Sequence, residues 1–454
     1  MMYKKTGTTT LIIFVLFGSI FSQVIDYQNC IYDKNVKSVK LHLKGLPLSQ
    51  PIVDYKSNGQ LLLSFDDLSE YEVEYFYTIY HCTADWEKSD IDPLIYLKNY
   101  NEGEIDDYFF SGATEIPYAH YRLTLPNEEV AWSISGNYVI VVYYYDGSEK
   151  VPVLSRRFMV NENTVGISAD FRYPNDASTY RTHQEMAIEV NTLNQRLRAP
   201  ETQLRLYVYQ NGRWDESVTD QRYDRYIGNV YRYDYPGKYS FMAYKEFRPY
   251  NNRYINSPAG DIMSLERDEE GYYAVRYPDE PRLYEPYLTY IDLNGQYIIQ
   301  NKEEPIRQRE LIEYSTRRQA DTLIPDQTIT QEYYIQDSLC LRCEYVNSLF
   351  TLKVREKLDG NVYLFGAFSG WRLDPQFQMD YDPYTKAYFA EVLLKQGYYD
   401  FYYAVERDDG EIDTYTLEGS WHETENEYLI LVYNKHPFNQ YHRLIGAKVV
   451  NSNQ

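Results

Sequence analysis

Apolar and polar residues alternate along much of the first third of the chain. In the stretch SVKLHLKG, Val39, Leu41 and Leu43 fall on one face of an extended segment, with Lys40 on the other. A period of two of this kind predicts half-buried β-strands. Further apolar or aromatic runs of strand length follow, bounded by Gly, Asn and Asp. The pattern predicts a β-sandwich of immunoglobulin-like architecture over residues 23–162.

Two further β regions follow the first. Residues 163–300 contain strand-like runs and two Asn-Gly pairs, at 211–212 and 294–295, which favour tight turns because both residue types tolerate positive φ. Residues 301–340 are highly charged and lack a convincing apolar stripe, which indicates a linker or an insertion. Residues 341–454 return to strand-length runs, and one face of a predicted strand there carries Tyr399, Phe401, Tyr403 and Val405. The fold class is therefore predicted to be all-β, with three immunoglobulin-like β-sandwich domains in series.

The N-terminus has the pattern of a secretory signal. Lys4 and Lys5 precede a short apolar run from Leu11 to Ile20, and small or polar residues follow up to Ser22. The run is about half of the roughly 20 residues that a membrane-spanning helix needs. We therefore expect residues 1–22 to be a signal peptide and the exported chain to have no transmembrane segment.

The charge of the chain restricts its partners. It has 67 acidic and 45 basic residues, a formal charge of −22, and loss of the two lysines in the signal takes this to −24. Nucleic-acid binding depends on neutralising phosphates, so the chain is not expected to bind nucleic acid. Anionic lipid surfaces are disfavoured for the same reason. Solubility explains the charge, and a basic partner surface is the alternative.

Tyrosine and cysteine usage add two constraints. The chain has 53 tyrosines, and tyrosine suits both half-buried sheet surfaces and protein interfaces. Four cysteines follow the signal, at positions 30, 82, 340 and 343. Cys340 and Cys343 form a C-x-x-C without a βαβ pattern or a second ligand pair, which argues against redox and zinc roles. A local disulfide or two free thiols are the alternatives for this pair.

The sequence contains no strong enzyme signature. The acidic pairs Asp66–Asp67 and Asp106–Asp107 could be compared with the two carboxylates of a glycosidase. Neighbouring residues on a strand point to opposite faces, however, so these pairs are better explained by turns and strand ends. The stretch HETEN at 422–426 lacks the second histidine of a zincin motif. We predict no catalytic residues, no metal and no cofactor; a hydrolase would need carboxylates from separate segments to converge.

A stretch near the C-terminus resembles a glycan-binding module. VYLFGAFSGW is similar to the strand of glycogen-binding-type modules that ends in a sugar-stacking tryptophan, here Trp371, and the following strands are similar too. The next turn carries Glu411, Ile412 and Asp413 where that family places a second aromatic residue. The resemblance implies the β-sandwich fold of such a module for residues 341–454. Glycan binding through Trp371, in the periplasm or at the cell surface, is the alternative function.

A longer series of motifs resembles one family over nearly the whole exported chain. The blocks LSFDDL, YFYTIYHCTADW, IPYAHYRLTLPNE, SGNYVIVVYYYDG, QNGRWDES, YPDEPRLYEPYLTYIDLNG, VYLFGAFSGW and EGSWHETENEYLILVY occur in the order seen in the plug protein family of the type IX secretion system. The resemblance extends from about Cys30 to Gly446. Its poorest part is about residues 301–342, which are longer and more charged than the family pattern.

The resemblance implies a function without catalysis. Members of this family are expected to lie in the periplasm, at the inner face of the outer membrane. There they dock on the large outer-membrane translocon barrel and close its periplasmic opening. We expect the partner-facing residues on the aromatic, charged and Pro-Asn turns of the first domain: Trp86, Asp106, Asp107, Tyr108, Tyr118, His120, Arg122, Pro126 and Asn127.

Overall fold

The computed structural model describes residues 25–69, 71–193, 195, 197–303, 340–435 and 441–453. The predicted signal peptide, residues 1–22, and residues 304–339 of the predicted linker lie outside them. The first part of the chain forms β1 (Cys30–Ile31), β2 (Val36–Leu43), β3 (Ile52–Asp54), β4 (Leu61–Asp67), β5 (Phe76–Cys82), α1 (Pro93–Tyr96), β6 (Leu97–Asn99), β7 (Gly103–Glu104), β8 (Asp107–Phe110), β9 (Ala119–Leu125), β10 (Val130–Trp132), β11 (Gly136–Asp146) and β12 (Glu149–Asn161).

The middle of the chain continues with short strands. It forms β13 (Gly166–Arg172), β14 (His183–Asn191), α2 (Pro200–Gln203), β15 (Leu204–Gln210), β16 (Ser217–Gln221), β17 (Arg225–Ile227), β18 (Val230–Tyr233), β19 (Ser240–Met242), β20 (Arg248–Asn251), β21 (Ile262–Asp268), β22 (Gly271–Arg276) and β23 (Tyr297–Ile299).

The last part is again almost all strand. It forms β24 (Tyr345–Lys353), β25 (Asn361–Phe365), 3₁₀ turns at Ala367–Ser369 and Pro375–Phe377, β26 (Gln378–Asp382), β27 (Ala387–Lys395), β28 (Gly397–Glu406), β29 (Ile412–Asp413), α3 (Tyr415–Glu418), β30 (Glu427–Asn434) and β31 (Arg443–Asn451). The predicted all-β, multi-domain sandwich architecture is confirmed.

The first sandwich packs a sheet of order β2-β4-β9-β8 against a sheet of order β1-β12-β11-β5-β7, with β3 beside β12. Strand β11 has a long apolar run because its alternate residues face two different apolar clusters. Tyr138, Ile140 and Val142 face the core of this sandwich. Val139 and Val141 face the other side and contact a different apolar cluster. Strand β11, in the sheet of order β1-β12-β11-β5-β7, is therefore buried on both faces over most of its length.

The second and third sandwiches are nested, so the strand pairing crosses the boundaries predicted at residues 300 and 341. The second sandwich packs β13-β14-β18-β17 against β16-β15-β30-β31. In the latter sheet β15 pairs with β30, more than 200 residues later. Both strands are rich in apolar and aromatic residues and are buried along nearly their whole length, so they need cover on both faces. The C-terminal strands therefore return to complete the second sandwich.

The third sandwich is formed by the chain between β19 and β30. Its strands form one sheet of order β20-β28-β25-β26-β27-β24-β22-β21, with β23 and β29 beside β28. The sheet folds over a single apolar core, because Tyr250 at one end and Ile262 at the other belong to the same buried cluster. Strands β20 to β23, predicted as part of the second domain, thus belong here. The predicted face of β28, formed by Tyr399, Phe401, Tyr403 and Val405, is confirmed as part of this core.

The three sandwiches are packed against one another. Outer-face residues of β11 and β15 meet in one apolar cluster, which joins the first sandwich to the second. A smaller cluster around Phe247 and Trp371 lies where the second sandwich meets the third. The first and third sandwiches meet through polar groups: the Ser38 hydroxyl lies 2.9 Å from the Tyr345 hydroxyl, and the amide of Gly112 donates to the carbonyl of Leu341.

Candidate functional site

Four of the predicted partner-facing residues lie on or beside an edge strand. Strand β8 pairs only with β9 among the described residues, and it forms the edge of its sheet. Asp106 and Asp107 are exposed, and the Tyr108 ring stacks on Tyr121 with centroids 5.3 Å apart. Arg122 on β9 faces Asp107, with Nε 4.0 Å from Oδ2. An exposed edge strand can pair with an added strand from another chain, so this edge remains a candidate contact.

Pro126 and Asn127 form the turn between β9 and β10. The Leu125–Pro126 peptide bond is cis. The Asn127 side chain donates to the Tyr77 hydroxyl at 2.8 Å, and its oxygen accepts from the backbone amide of Val130 at 2.8 Å. Both side chains are half-buried. Their contacts explain the Pro-Asn pair by the shape of the turn.

Trp86 and Tyr118 are buried and face other parts of the same chain. Trp86 makes an edge-to-face contact with Trp214 of the second sandwich, and the Arg157 guanidinium lies 4.5 Å from the centroid of the Trp86 ring. The Tyr118 hydroxyl donates to the carbonyl oxygen of Cys340 at 2.8 Å. These two residues therefore correct the predicted surface: each holds two sandwiches together and offers no side chain to a partner in this conformation.

The segment held by Tyr118 contains the C-x-x-C pair. Of the two alternatives, the structure has the disulfide between Cys340 and Cys343. The Tyr118 hydroxyl also lies 3.1 Å from the carbonyl oxygen of Cys343. The disulfide turn is thus fixed to the first sandwich, immediately before β24 begins.

His120 points into a buried polar junction between the first and third sandwiches. Its Nδ1 lies 2.6 Å from Oδ1 of Asp66 on β4. The other oxygen of Asp66 lies 2.6 Å from Nζ of Lys395 and accepts from the Tyr345 hydroxyl at 2.7 Å. The Lys395 ammonium also lies 3.9 Å from the centroid of the Tyr118 ring. Both charges are buried, and each has several partners.

The electrostatics of this junction favour an ion pair. Burial opposes ionisation of Asp66, but the charge of Lys395 and the hydrogen bond from His120 outweigh it and hold the pKa of Asp66 at about 2. Burial lowers the pKa of Lys395, and the facing Asp66 opposes that shift. Asp67, the other member of the predicted acidic pair, points away and accepts from the Tyr75 hydroxyl at 3.0 Å. The two acids therefore do not converge on one site.

A narrow cavity of about 60 Å³ lies beside this junction. It is lined in part by His42, Arg122, Ile298 and Cys340. A cavity of this size holds a few waters, whereas sites for small-molecule ligands typically span about 300–1,000 Å³. The junction fits a structural contact between sandwiches better than a substrate site.

Trp371 does not form a sugar-stacking platform. Its side chain is only 7% exposed and packs with Phe247 and Phe365. A Cβ on Gly295 would lie 2.3 Å from the Trp371 ring, so the backbone of that turn covers the ring closely. The guanidinium of Arg213, from the second sandwich, lies 5.9 Å from the ring centroid. The ring of Trp371 is therefore not open to a sugar in this conformation, because other parts of the chain cover it.

Two buried acidic groups in the third sandwich were not anticipated from the sequence. Glu418 lies between two arginines, with Arg248 Nε at 3.0 Å and Arg282 Nη2 at 2.6 Å, and these charges lower its pKa against the effect of burial. Asp292 and Asp400 form no ion pair with any residue that the structure describes. Burial raises the pKa of Asp292 to about 7, and burial with the nearby Asp292 raises the pKa of Asp400 well above its usual value.

A sequence signal for these residues exists but does not identify their partners. Asp400 is the single acid within the aromatic run YYDFYYAV, and Lys395 ends the apolar run of β27. A lone charge in such a run indicates a buried polar contact. The partners of Lys395 and Glu418 lie more than 100 residues away in sequence, so the pattern of a single strand cannot name them.

Within the described ranges, no group of three or more His, Cys, Asp or Glu side chains is placed to hold a metal ion. None of the helices formed by those residues has the length and apolar character needed to cross a membrane.

Part of the chain matches the model of a known protein family. Residues 36–162 match the family model described as type 9 secretion system plug protein 1st domain. The chain is also similar to the crystal structure of a hypothetical protein from Parabacteroides merdae, with 28% identity and a TM-score of 0.82; the match covers 94% of this chain and 100% of that chain.

The remaining comparisons add little. The C-terminal domain of the Streptococcus pyogenes antigen I/II-family protein AspA reaches a TM-score of 0.16 at 7% identity, which supports no argument. No curated protein matches the chain significantly. The resemblance to the plug family is thus confirmed for the first domain: residues 36–162, which form nearly all of the first sandwich, match the model of the plug protein first domain.

Proposed function

We propose that this protein is a non-enzymatic, periplasmic component of the type IX secretion system that docks on the outer-membrane translocon barrel and closes its periplasmic opening. The observation that carries the proposal is the match of residues 36–162 to the plug protein first domain. The family match associates the chain with this secretion system, and the docking and closure are our own inference from it.

The packing of the sandwiches supports a role as a solid obstacle. To block a wide opening, a protein needs a body that resists deformation, and densely packed interiors resist compression. The first and second sandwiches share a buried cluster that includes Val141, Leu429 and Leu431. The first and third share the buried Asp66–Lys395 ion pair. Three sandwiches joined in this way can act as one obstacle.

The edge of the first sandwich remains a candidate contact with the barrel. Asp106, Asp107, Tyr108 and Arg122 are accessible there, whereas Tyr118 is not suited to a test because its hydroxyl holds the disulfide turn. Charge reversal at Asp106, as Asp106→Lys, changes the edge at an exposed side chain. If this edge contacts the barrel, the variant should recover less barrel than the wild type.

Two measurements test the proposed function directly. Tagged protein, expressed at its native level and purified from gently solubilised envelopes, should recover a large outer-membrane barrel in near-stoichiometric amount. In a planar bilayer, the purified barrel should conduct ions, and addition of this protein to its periplasmic side should reduce that conductance. Recovery of the protein alone, or a conductance that does not respond, would contradict the proposal.

A further inference from the structure

A long connection in the third sandwich presents apolar side chains to solvent. Residues 277–296 join β22 to β23 without forming a strand or helix of their own; their one regular contact is an isolated bridge between Asp279 and Leu352. Connections longer than about 15 residues without secondary structure are uncommon in compact domains and are usually functional or disordered. This connection is neither frayed nor loosely held, as its contacts show.

The inward-facing residues of the connection are firmly anchored. Arg282 binds Glu418 through Nε at 2.7 Å and donates through Nη2 to the carbonyl of Glu246 at 2.9 Å. The Tyr287 hydroxyl donates to the Glu246 carboxylate at 2.6 Å, and the Tyr290 hydroxyl donates to the carbonyl of Phe247 at 2.8 Å. The connection is therefore fixed along its length by side chains that point towards the protein.

The backbone of the connection is fixed as well. Lys245 Nζ donates to the carbonyls of Arg282 and Glu285 at 2.5 Å and 2.9 Å. The amide of Arg282 donates to the carbonyl of Leu417 at 2.7 Å. The side-chain carboxylate of Asp292 accepts from the backbone amide of Phe247 at 2.7 Å.

The outward-facing residues between these anchors are large and apolar. Tyr284, Leu288 and Ile291 are 94%, 73% and 64% exposed. We call these three side chains the apolar ridge. They lie within eight positions of one anchored segment, and exposed apolar residues that occur close together mark interaction sites more often than scattered ones do. Because the backbone beneath the ridge is already ordered, a partner would bind it with little further loss of conformational entropy.

The charges around the ridge indicate the chemistry of its partner. Glu280 and Glu285 are exposed on the same connection, and Glu423 is exposed beside it, where its carbonyl accepts from the Tyr287 hydroxyl. Lys245 and Arg282, two cations that hold the connection in place, are engaged in its inward-facing contacts. Carboxylates around an apolar centre are complementary to an apolar protein surface with a basic rim, and they repel anionic lipid headgroups.

We propose that the apolar ridge is a docking surface for the translocon barrel, and that it binds an apolar patch of that protein rimmed by Lys or Arg. This inference rests on the proposed function. It adds a second contact with the barrel, besides the edge strand of the first sandwich. It assigns a role to the exposed apolar residues of the block YPDEPRLYEPYLTYIDLNG.

A pair of matched triple variants tests the ridge. The ridge variant is Tyr284→Ser, Leu288→Ser and Ile291→Ser. The control is Tyr226→Ser, Ile227→Ser and Tyr235→Ser in the second sandwich, whose side chains are 61%, 68% and 64% exposed. Exposed substitutions of this kind leave stability nearly unchanged, which unfolding curves of both variants would verify.

The readout is the amount of barrel recovered with each tagged protein from envelopes of the source bacterium. We expect the ridge variant to recover less barrel by about tenfold or more, because apolar and aromatic anchors dominate binding, and the control to stay within about twofold of the wild type. Equal recovery with wild type and ridge variant would overturn the ridge and leave the proposed function standing. An equal loss of recovered barrel in both variants would also overturn the ridge. Absence of the barrel from the wild-type sample would overturn both the ridge and the proposed function.

Crosslinking gives a second readout that does not depend on affinity. A photo-reactive phenylalanine at position 288 should form an adduct with the barrel, whereas the same group at position 227 should not. Adducts from position 227 alone would contradict the ridge. Flotation of the purified protein with vesicles of phosphatidylethanolamine and phosphatidylglycerol tests the membrane instead: flotation that is lost in the ridge variant would overturn a protein partner.

Discussion

The first sandwich contacts the second through apolar residues and the third through polar ones. We call these two contacts the apolar seam and the polar seam. Its seam with the second contains fully buried apolar residues such as Val139 and Leu431. Its seam with the third contains the buried ion pair of Asp66 and Lys395, with His120 as a further partner. Apolar burial stabilises a contact without fixing its geometry, whereas a buried charge is tolerated only when its partners are correctly placed. The first seam therefore supplies stability, and the second supplies alignment.

The largest effect is expected from removing one partner of the polar seam. Asp66→Ala leaves the Lys395 ammonium buried without its counter-charge, which should lower the free energy of unfolding by about 3–5 kcal/mol. Urea titration followed by tryptophan fluorescence measures it.

The matched control for that change removes both charges. The double variant Asp66→Leu and Lys395→Met keeps the volume and leaves no unpaired ion, so it should recover most of the loss. If the double variant were as unstable as Asp66→Ala, the unpaired charge would not be the cause, and the contrast between the seams would not hold.

A smaller loss is expected from the apolar seam. Leu431→Ala removes a fully buried side chain between the first and second sandwiches, and it should lower the free energy of unfolding by about 3 kcal/mol. Leu288→Ala on the apolar ridge removes the same atoms from an exposed position and should change stability by less than about 0.5 kcal/mol. Equal effects at the two sites would show that the seam is not tightly packed in solution.

The seams also mark the limit of what the sequence predicts. Periodicity of two correctly predicted the β class and the inward faces of β2 and β28. The Asn-Gly pair correctly predicted the turn after β15, where Asn211 and Gly212 have φ values of 50° and 68°. A periodic pattern shows which face of a strand is buried. It does not show what covers that face.

The differences between prediction and structure follow from that limit. Trp86 and Tyr118 were predicted as surface residues, yet they are buried by other sandwiches. The pairing of β15 with β30, and hence the nesting of two domains, depends on contacts over more than 200 residues. Trp371 has the sequence context of a sugar-stacking residue, but Arg213 and Gly295 from other segments cover it.

Acid pH should weaken the polar seam, and the expected loss of stability is smaller than that from Asp66→Ala or Leu431→Ala. The folded-state pKa of Asp66 is about 2, below its unfolded value of 3.8, so its contribution is complete above about pH 4 and is lost as the pH falls towards 2. A pKa shift of this size corresponds to about 2 kcal/mol in the free energy of unfolding. The wild type should lose this stability between about pH 4 and pH 2, whereas the Asp66→Leu and Lys395→Met variant should lose less.

Asp292 acts in a different pH window and can be separated from Asp66. Its folded-state pKa is raised to about 7, so it favours the folded state less as the pH rises from about 4 through 7. Unfolding curves of Asp292→Asn between pH 4 and 8 would isolate this contribution. If Asp292→Asn altered the stability change between pH 4 and 2, that change could not be assigned to Asp66 and the polar seam.

The smallest effect is expected at the exposed edge of the first sandwich, where the ion pair of Asp107 and Arg122 is 4.0 Å long and partly open to solvent. Asp107→Asn should change the free energy of unfolding by less than about 0.5 kcal/mol, since exposed pairs gain little over hydration. Salt at about 0.5 M should remove even that difference, because it screens surface charges but not the buried pair. A loss comparable to that of Asp66→Ala would mean that burial does not separate the two ion pairs. A negligible loss in stability combined with reduced recovery of the barrel would instead assign Asp107 to the docking surface.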